Sequence, residues 1–457
     1  MSLDPLYTAD EMKAAEAGHD VKELMARAGR AVAEEAMRRF PDARRFVAVC
    51  GQGANGGDGR IAVEVLEAAG KAARPAEDAP LEDADVIIDA LFGTGFVGEP
   101  REDAGRTIEA INAARAPVVS VDLPSGVDAS TGEVAGACVE AAVTVTFHGP
   151  KVGLELAPGR FRAGEVVVAD IGLEPLETEH KLVTPGILGE IPRRQADQNK
   201  YTAGTVLVVG GSRGLTGAPS LAAEAAFRAD AGYVAVAVPE STLAVFEQRL
   251  LEAVKLPCPE SDGRISPQAV APIVEFAAKA GSLALGPGLG RGKGPSEVVR
   301  LLLEQLDRPI VVDADGLYEL EPVERSAPTV LTPHEGELAR LLGEESDWVA
   351  AHRLEAVRRG AERFNCVCLL KGADTLIATP GRGVLVSSLG SPALATAGTG
   401  DVLTGIVAAF LAKGVEPRRA AAAAAAAQQL ASTLIPQSGA IASDIVGALP
   451  LVLDAPV

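Results

Sequence analysis

Basic residues are scarce in this chain of 457 residues: 42 Lys and Arg stand against 62 Asp and Glu, a formal net charge of −20. So acidic a chain does not bind nucleic acid or an anionic membrane through bulk charge. Any phosphate it holds must be gripped locally, by glycine loops and helix N-termini. Cysteines number five (Cys50, Cys138, Cys258, Cys366 and Cys368). They form no CxxC pair, and Cys366 and Cys368 would share one face of a strand, so buried reduced thiols are expected. Long apolar runs are missing too. Stretches such as Val402 to Ala412 fall far short of a membrane span, no charged segment followed by an apolar run marks the N-terminus, and no repeat has a solenoid period. The expectation is a soluble, cytoplasmic protein. At 47% apolar and 23% charged it has material for large cores, and its length suggests two or three domains. What it has in quantity is glycine, 49 residues.

The order of elements follows from periodicity. The first forty residues read as helix, with Thr8 and Asp10 as caps and Met12, Ala15, Leu24, Met25, Ala28 and Val32 at helical spacing. Phe46 to Cys50 is a short apolar run that enters the glycine loop Gly51 to Gly59, and a helix is predicted from about Arg60 to Ala69. The pattern recurs at Asp85 to Asp89, entering Ala90 to Gly95, with a helix around Ala104 to Ala114. It recurs again at Pro117 to Val121, entering Asp122 to Gly126, and further strands are read at Val143 to Phe147 and Glu165 to Ile171. From about Glu174 to Tyr201 periodicity fades among Pro175, Pro185 and Pro192, which reads as the domain connection. A second series follows, with strands entering the loops Gly211 to Ala218, Gly286 to Gly290, Ala314 to Gly316, Pro333 to Glu337 and Lys371 to Thr375. Last, Ala397 to Asp401 opens the apolar helix Val402 to Ala412. The alanines Ala420 to Ala427 are expected to form a helix packed closely on that one. Two α/β domains result, each a mainly parallel sheet covered by helices, with glycine loops at the strand ends where such sheets bind ligands.

The first domain brings oxygen-bearing side chains to one rim: Asn55, Asp89, Asp122 and Ser125. Hard oxygen donors with one or two carboxylates suit a weakly charged cation better than zinc. The glycine cluster suits a phosphate. Either feature also has a plainer reading, a tight turn for the glycines and helix or turn caps for Asp89 and Asp122. The motifs Gly51 to Gly59, Asp89 to Gly95 and Val121 to Val127 occur in the order found in the YjeF N-terminal domain, the NAD(P)H-hydrate epimerase, and residues 1–180 resemble that family. Ala54 departs from it, since the family usually has a second Asn there. The resemblance implies a potassium site from Asn55, Asp89 and Ser125. It also implies pyridine-nucleotide contacts from Ala54, Asn55, Gly56, Gly57 and Asp58, from Gly93, Thr94, Gly95, Phe96, Val97, Gly98 and Glu99, and from Asp122. Epimerising a hydrated nicotinamide ring needs reversible ring opening or loss of the hydroxyl, work for an acid/base group beside a cation, and Asp122 is the candidate.

In the second domain Gly398 to Asp401 stands directly before a helix. Loop N–H groups and the helix dipole there stabilise a transferred phosphoryl group, and an adjacent Asp can take a proton from a hydroxyl. Asp is equally a common N-cap. With Lys371 to Thr375 and Gly286 to Gly290, the set resembles the ribokinase-like fold. A His, His334, stands where such kinases commonly carry Asn, which points to the NAD(P)H-hydrate dehydratase branch over residues 181–457. A lone His is otherwise more often structural. The resemblance implies hydrate binding by Ala218, Gly288 or a neighbouring loop glycine, His334 and Asp401. It further implies adenine-nucleotide contacts from Lys371, Gly372, Ala373, Asp374, Thr375 and Gly400, with Glu337 organising magnesium through water. His19, His148, His180 and His352 have no metal-ligand spacing, and Lys151 and Lys200 read as surface lysines in preference to phosphate contacts.

One chemistry joins the halves. Water added across a reduced nicotinamide leaves a hydroxyl beside the ring nitrogen. Hydroxide leaves slowly and phosphate readily, so a kinase-like site can run a dehydratase with Asp401 as base. By analogy with the family, ADP is favoured over ATP as donor. A site of fixed handedness takes one epimer, and a fused epimerase supplies the other. A homo-oligomer is expected. Two rivals remain at this stage: a kinase of a small alcohol or vitamin precursor fused to a nucleotide-binding module, and a first domain that has lost catalysis.

Overall fold

In the computed structural model, residues 2–77 and 80–455 are described. The chain forms two compact units, one of residues 5–181 with 350–353, the other of residues 182–349 and 354–455 with 2–4.

The smaller unit is built on six parallel strands in the order Ala72–Pro75, Arg45–Cys50, Val86–Ala90, Val118–Val121, Val143–Phe147 and Glu165–Ala169. Strand order reverses between Arg45–Cys50 and Val86–Ala90. The loops leaving these two strands therefore splay apart and leave a crevice at their C-terminal ends. Val86, Ile87, Ile88, Asp89 and Ala90 are all buried, as expected of a parallel strand with both faces covered.

Four sequence expectations need correcting. The opening segment is not continuous helix. Leu3–Leu6 is a strand, and the helices Ala9–Glu16 and Val21–Arg39 are separate, capped by Thr8 in a reciprocal box with Glu11 and by Asp20. Gly18, at φ +87°, makes the break. The helix after the first glycine loop begins at Ala54, not Arg60. Its glycines serve close approach: a Cβ on Gly56 would lie 1.9 Å from the Gly51 carbonyl oxygen, and one on Gly59 2.5 Å from Cβ of Ala90. The stretch from Glu174 to Tyr201 is not a bare linker. It contains the strand His180–Val183 and a 3-10 helix Pro185–Glu190, and Val183, Ile187, Leu188 and Ile191 are buried in the larger unit's core. Of the cysteines, all free, Cys50 is only half-buried, while the other four are buried.

The larger unit's sheet runs parallel through Val254–Cys258, Tyr233–Pro239, Thr205–Val209, Ser282–Leu285, Ile310–Val312, Thr329–Leu331 and Val367–Leu370. The strands Thr375–Ala378 and Leu385–Ser387 then add antiparallel. Strands Leu3–Leu6 and His180–Val183 complete the sheet, their residues 3–4 and 182–183 belonging to this unit. Order again reverses beside the unit's first parallel strand, between Thr205–Val209 and Ser282–Leu285. Two apolar cores cover the two faces. The alanine run forms the helix Pro417–Thr433, with Ala420 to Ala427 buried against Thr399–Ala412, as its composition predicts. Among the described residues no helix is long and apolar enough to cross a membrane.

Candidate active sites

In the smaller unit, three residues singled out from the sequence gather at the crevice around the backbone of Phe92. Asn55 Nδ2 donates to the Phe92 carbonyl (2.8 Å), and Ser125 Oγ accepts from the Phe92 amide (2.8 Å). Ser125 also donates through Oγ (2.6 Å) and through its backbone N–H (2.9 Å) to Asp89, whose carboxylate accepts further from Ser120 Oγ (2.9 Å) and the Leu91 amide (3.3 Å). Asp89 is fully buried. Burial raises its carboxyl above the usual range, and the hydrogen bonds pull it back. Among the described residues every group that hydrogen-bonds to this carboxylate is neutral, so no counter-ion is bonded to it. Gly93 packs against Asn55: a Cβ on it would meet Asn55 Oδ1 at 2.9 Å. Gly95, Val97, Gly98 and Glu99 are exposed, and Phe96 stacks on Phe92 at 4.8 Å between ring centroids.

Asp122 follows strand Val118–Val121 with φ +66°, in the left-handed region that Asp tolerates better than most residues. Its partner overturns the reading of Lys151 as a surface lysine. Lys151 is completely buried, its ammonium 2.8 Å from Asp122 Oδ1 and hydrogen-bonded to Thr146 Oγ1 (2.9 Å) and the Phe147 carbonyl (2.8 Å). A buried ammonium survives only with such a full set of acceptors. Beside this pair Asp58 is pushed up to about 8, first by burial, then by the charges of Asp122 and Glu16. At neutral pH the rim thus holds one carboxyl that is mostly protonated and one that is ion-paired. Such divergent environments separate proton donor from acceptor. Ala54 is exposed at the helix start, and Gly56 is buried beneath it.

In the larger unit, Asp401 is not an N-cap. Gly398, at φ +94°, occupies that position, and Asp401 stands in the first turn of helix Thr399–Ala412. Burial, with repulsion from Asp313, Asp315 and Glu337, lifts Asp401 to about 7, while Lys371 opposes the rise. The Lys371 ammonium lies 2.7 Å from Asp313 Oδ1 and 3.8 Å from Glu337 Oε2. Burial alone would lower Lys371, but these carboxylates hold it above its ordinary value. Thr404 Oγ1 donates to Asp313 Oδ2 (2.8 Å). Gly400 leaves the gap over this pair, since a Cβ there would meet Lys371 Nζ at 3.3 Å. Gly372 and Ala373 are exposed, whereas Asp374 and Thr375 are buried, Thr375 accepting from Gln429 (3.2 Å).

His334 caps helix Glu335–Leu342. Its Nδ1 accepts from the Gly336 amide (3.0 Å), and Glu337 reaches back to the His334 amide (2.9 Å). Nδ1 is thereby committed as acceptor, and Nε2 of the exposed ring lies 3.4 Å from Glu337 Oε1. Gly288, at φ +60°, would place a Cβ 2.4 Å from the Leu215 carbonyl and 3.3 Å from Cβ of Ala218, so Ala218 and Gly288 adjoin. Among the described residues no three His, Cys, Asp or Glu side chains are grouped as a metal cluster. Sequence reasoning missed Lys151, Asp313 and Thr404. Asp313 carried the same signal as Asp89, an Asp closing a β-branched run; the pairing of Lys151 with Asp122 had no local signal.

Comparison with known proteins bears on both halves. The family described as NAD(P)H-hydrate dehydratase matches residues 206–450, and that described as YjeF-related protein N-terminus matches residues 21–75 and 62–153. The bifunctional NAD(P)H-hydrate repair enzyme Nnr of Moorella thermoacetica is 38% identical, over 94% of this chain and 92% of its own; that of Pyrobaculum aerophilum is 39% identical over 94% and 93%. The ADP/ATP-dependent NAD(P)H-hydrate dehydratase from Bacillus subtilis, co-crystallised with ATP/Mg2+, superposes with TM-score 0.51 at 29% identity, covering 59% of this chain and 96% of its own.

Proposed function

This chain belongs to the bifunctional NAD(P)H-hydrate repair enzymes, and from that premise we propose how its halves divide the work. Residues 1–180 interconvert the R and S epimers of NAD(P)H hydrate. Residues 181–457 dehydrate the S epimer, converting ADP to AMP and phosphate.

In the dehydratase half Asp401 takes the proton of the ring hydroxyl. The freed oxygen attacks the terminal phosphorus of ADP, AMP departs, and the amide groups at the start of helix Thr399–Ala412 face the charge on the moving phosphoryl group. The ring-nitrogen lone pair then expels phosphate, and loss of a proton from the neighbouring carbon restores the dihydronicotinamide. Ala218, Gly288 and His334 hold the hydrate, while Lys371 to Thr375 and Gly400 hold the nucleotide. Magnesium fits a site whose carboxylates are oxygen donors: it would arrive on the nucleotide phosphates, with Glu337 positioning its water. In the epimerase half Asp122, ion-paired with Lys151, serves as base and Asp58 as the nearby acid. Ala54 to Asp58 and Gly93 to Glu99 enclose the nucleotide. Potassium fits the oxygens of Asn55, Asp89 and Ser125, because it would supply the counter-ion that the buried Asp89 lacks. A cytoplasmic setting, where NAD(P)H is made and damaged, follows from this work.

Asp401 carries the reading: a carboxyl near pKa 7, beside a Lys371–Asp313 pair, at a helix start. The test supplies mixed hydrate epimers with ADP, Mg2+ and K+ and follows NAD(P)H absorbance. Complete recovery is expected with ADP, and slower consumption of the second epimer when Na+ replaces K+. Absence of any nucleotide-dependent recovery would refute the assignment.

A further inference from the structure

Beside the Asp401 site the larger unit has a pocket of about 430 Å³ whose lining includes three arginines: Arg213, Arg264 and Arg291. Two aspartates, Asp262 and Asp315, share the lining, so the arginines outnumber the acids there, the reverse of the balance in a chain of net charge −20. The arginines come from three strand-end segments fixed to one another. The Arg213 amide donates to the Gly263 carbonyl (2.9 Å), Ser212 forms a β-bridge with Arg264, and Ser212 Oγ donates to the Gly288 carbonyl (3.0 Å). Glycine packing sets the arginine stems: a Cβ on Gly290 would lie 3.0 Å from Cδ of Arg264, and one on Gly263 2.9 Å from Cβ of Arg213.

Arg291 is committed to Asp315 (3.1 Å). Arg213 and Arg264 form no salt bridge among the described residues, so two guanidinium forks are open to a ligand. The pocket adjoins the hydrate residues. Leu215, on its wall, is the residue against which Gly288 packs, with Ala218 next to it, and Asp315 bears electrostatically on Asp401.

We propose that Arg213 and Arg264 bind a phosphate group of the dinucleotide hydrate and so anchor the substrate at a distance from the reacting ring. The proposal rests on the dehydratase reading above and extends it to the part of the substrate that does not react. Two phosphates share the chemistry, the pyrophosphate bridge of both hydrates and the ribose phosphate found only on NADPH hydrate. A planar fork meeting a phosphate makes paired, charge-assisted hydrogen bonds, so each arginine should matter by about 10-fold or more.

The experiment compares the full-length enzyme with Arg213→Ala, Arg264→Ala, their combination and Arg264→Lys. All lie at exposed positions, so folding should be retained. Steady-state dehydration should show KM for hydrate raised about 10- to 100-fold with little change in kcat, and the Lys variant intermediate. A rise for both hydrates places the pyrophosphate in the pocket, and a rise for NADPH hydrate alone places the ribose phosphate there; both support the proposal. Unchanged hydrate KM, or a rise in KM for ADP instead, overturns it. Calorimetric binding of NADPH needs no turnover and separates this proposal from the dehydratase reading. Its affinity should fall about 10-fold in the double variant, with a shallower salt dependence. Equal NADPH affinity and salt slope in the double variant would also overturn the proposal.

Discussion

A carboxyl group with pKa near 7 is half ionised at neutral pH, and Asp401 is in that condition because its surroundings are dry and already acidic. The consequence for activity is that dehydration should rise with pH through about 7 and then level off, since only the carboxylate accepts a proton. Asp401→Asn should lower turnover by about 10²–10⁴-fold or more while epimer exchange continues. The consequence for stability has the opposite sign. The folded pKa lies above the unfolded value, so the protonated group's contribution is full below about pH 4 and is lost as pH rises through 7. Asp401→Asn should therefore stabilise the protein at pH 8, by roughly 2 kcal/mol, and hardly at all at pH 4. Denaturant titration of both proteins at the two pH values checks this, and equal differences at both would show that Asp401 is not strained. Asp89 was legible as an Asp closing an apolar strand, because a parallel sheet exposes that end of every strand, and Asp401 as an Asp between a glycine loop and an apolar helix. Lys151 and Thr404 were not, since each meets its carboxylate only after separate segments have folded together.

Between elements, glycine decides how closely helices approach. Gly405 lies in the middle of helix Thr399–Ala412, which crosses Gly217–Arg228, and a Cβ there would stand 2.1 Å from the carbonyl oxygen of Ala222. Backbone cannot yield as a side chain can, so the helices would have to part. Gly447, in helix Ala442–Asp454, has open space around its absent Cβ. The two substitutions should therefore differ in sign. Gly447→Ala should stabilise by about 0.5–1 kcal/mol through helix propensity. Gly405→Ala should destabilise by about 1–3 kcal/mol through overpacking and slow dehydration, because Asp401 rides on the same helix. Thermal melts of the two variants decide it, and a stabilised Gly405→Ala would refute the packing argument. Helix packing of this kind was legible in the alanine run, where small side chains are consecutive. It was hidden at Gly56 and Gly59: in sequence a helix that needs glycine for close contact looks like a loop that needs it for a turn.

For the whole molecule, the position of the boundary decides whether the halves can be separated. A cut chosen from proline content alone could fall anywhere between Glu174 and Tyr201. Yet Val183, Ile187, Leu188 and Ile191 are buried in the larger unit. At about 1.5–3 kcal/mol for each such side chain, losing all four costs as much as the whole stability of an ordinary domain. A C-terminal piece beginning at Tyr201 should accordingly be insoluble or unfolded. One beginning at Glu177, in the exposed stretch after Gly172, keeps all four and should fold. The folded piece, given ADP and Mg2+, should consume one hydrate epimer and stop. Adding residues 5–176 should carry the reaction to completion. The reason lies in the fixed positions of Asp401 and the helix start: with Asp401 as the proposed base, only one hand of the ring carbon would point its oxygen at both that base and the phosphorus. Displacement of a reacting atom by about 1 Å already costs about 10²-fold, and inverting the carbon moves the oxygen farther than that. Consumption of both epimers by the C-terminal piece, faster than they interconvert unaided, would remove the chemical reason for joining the two activities in one chain.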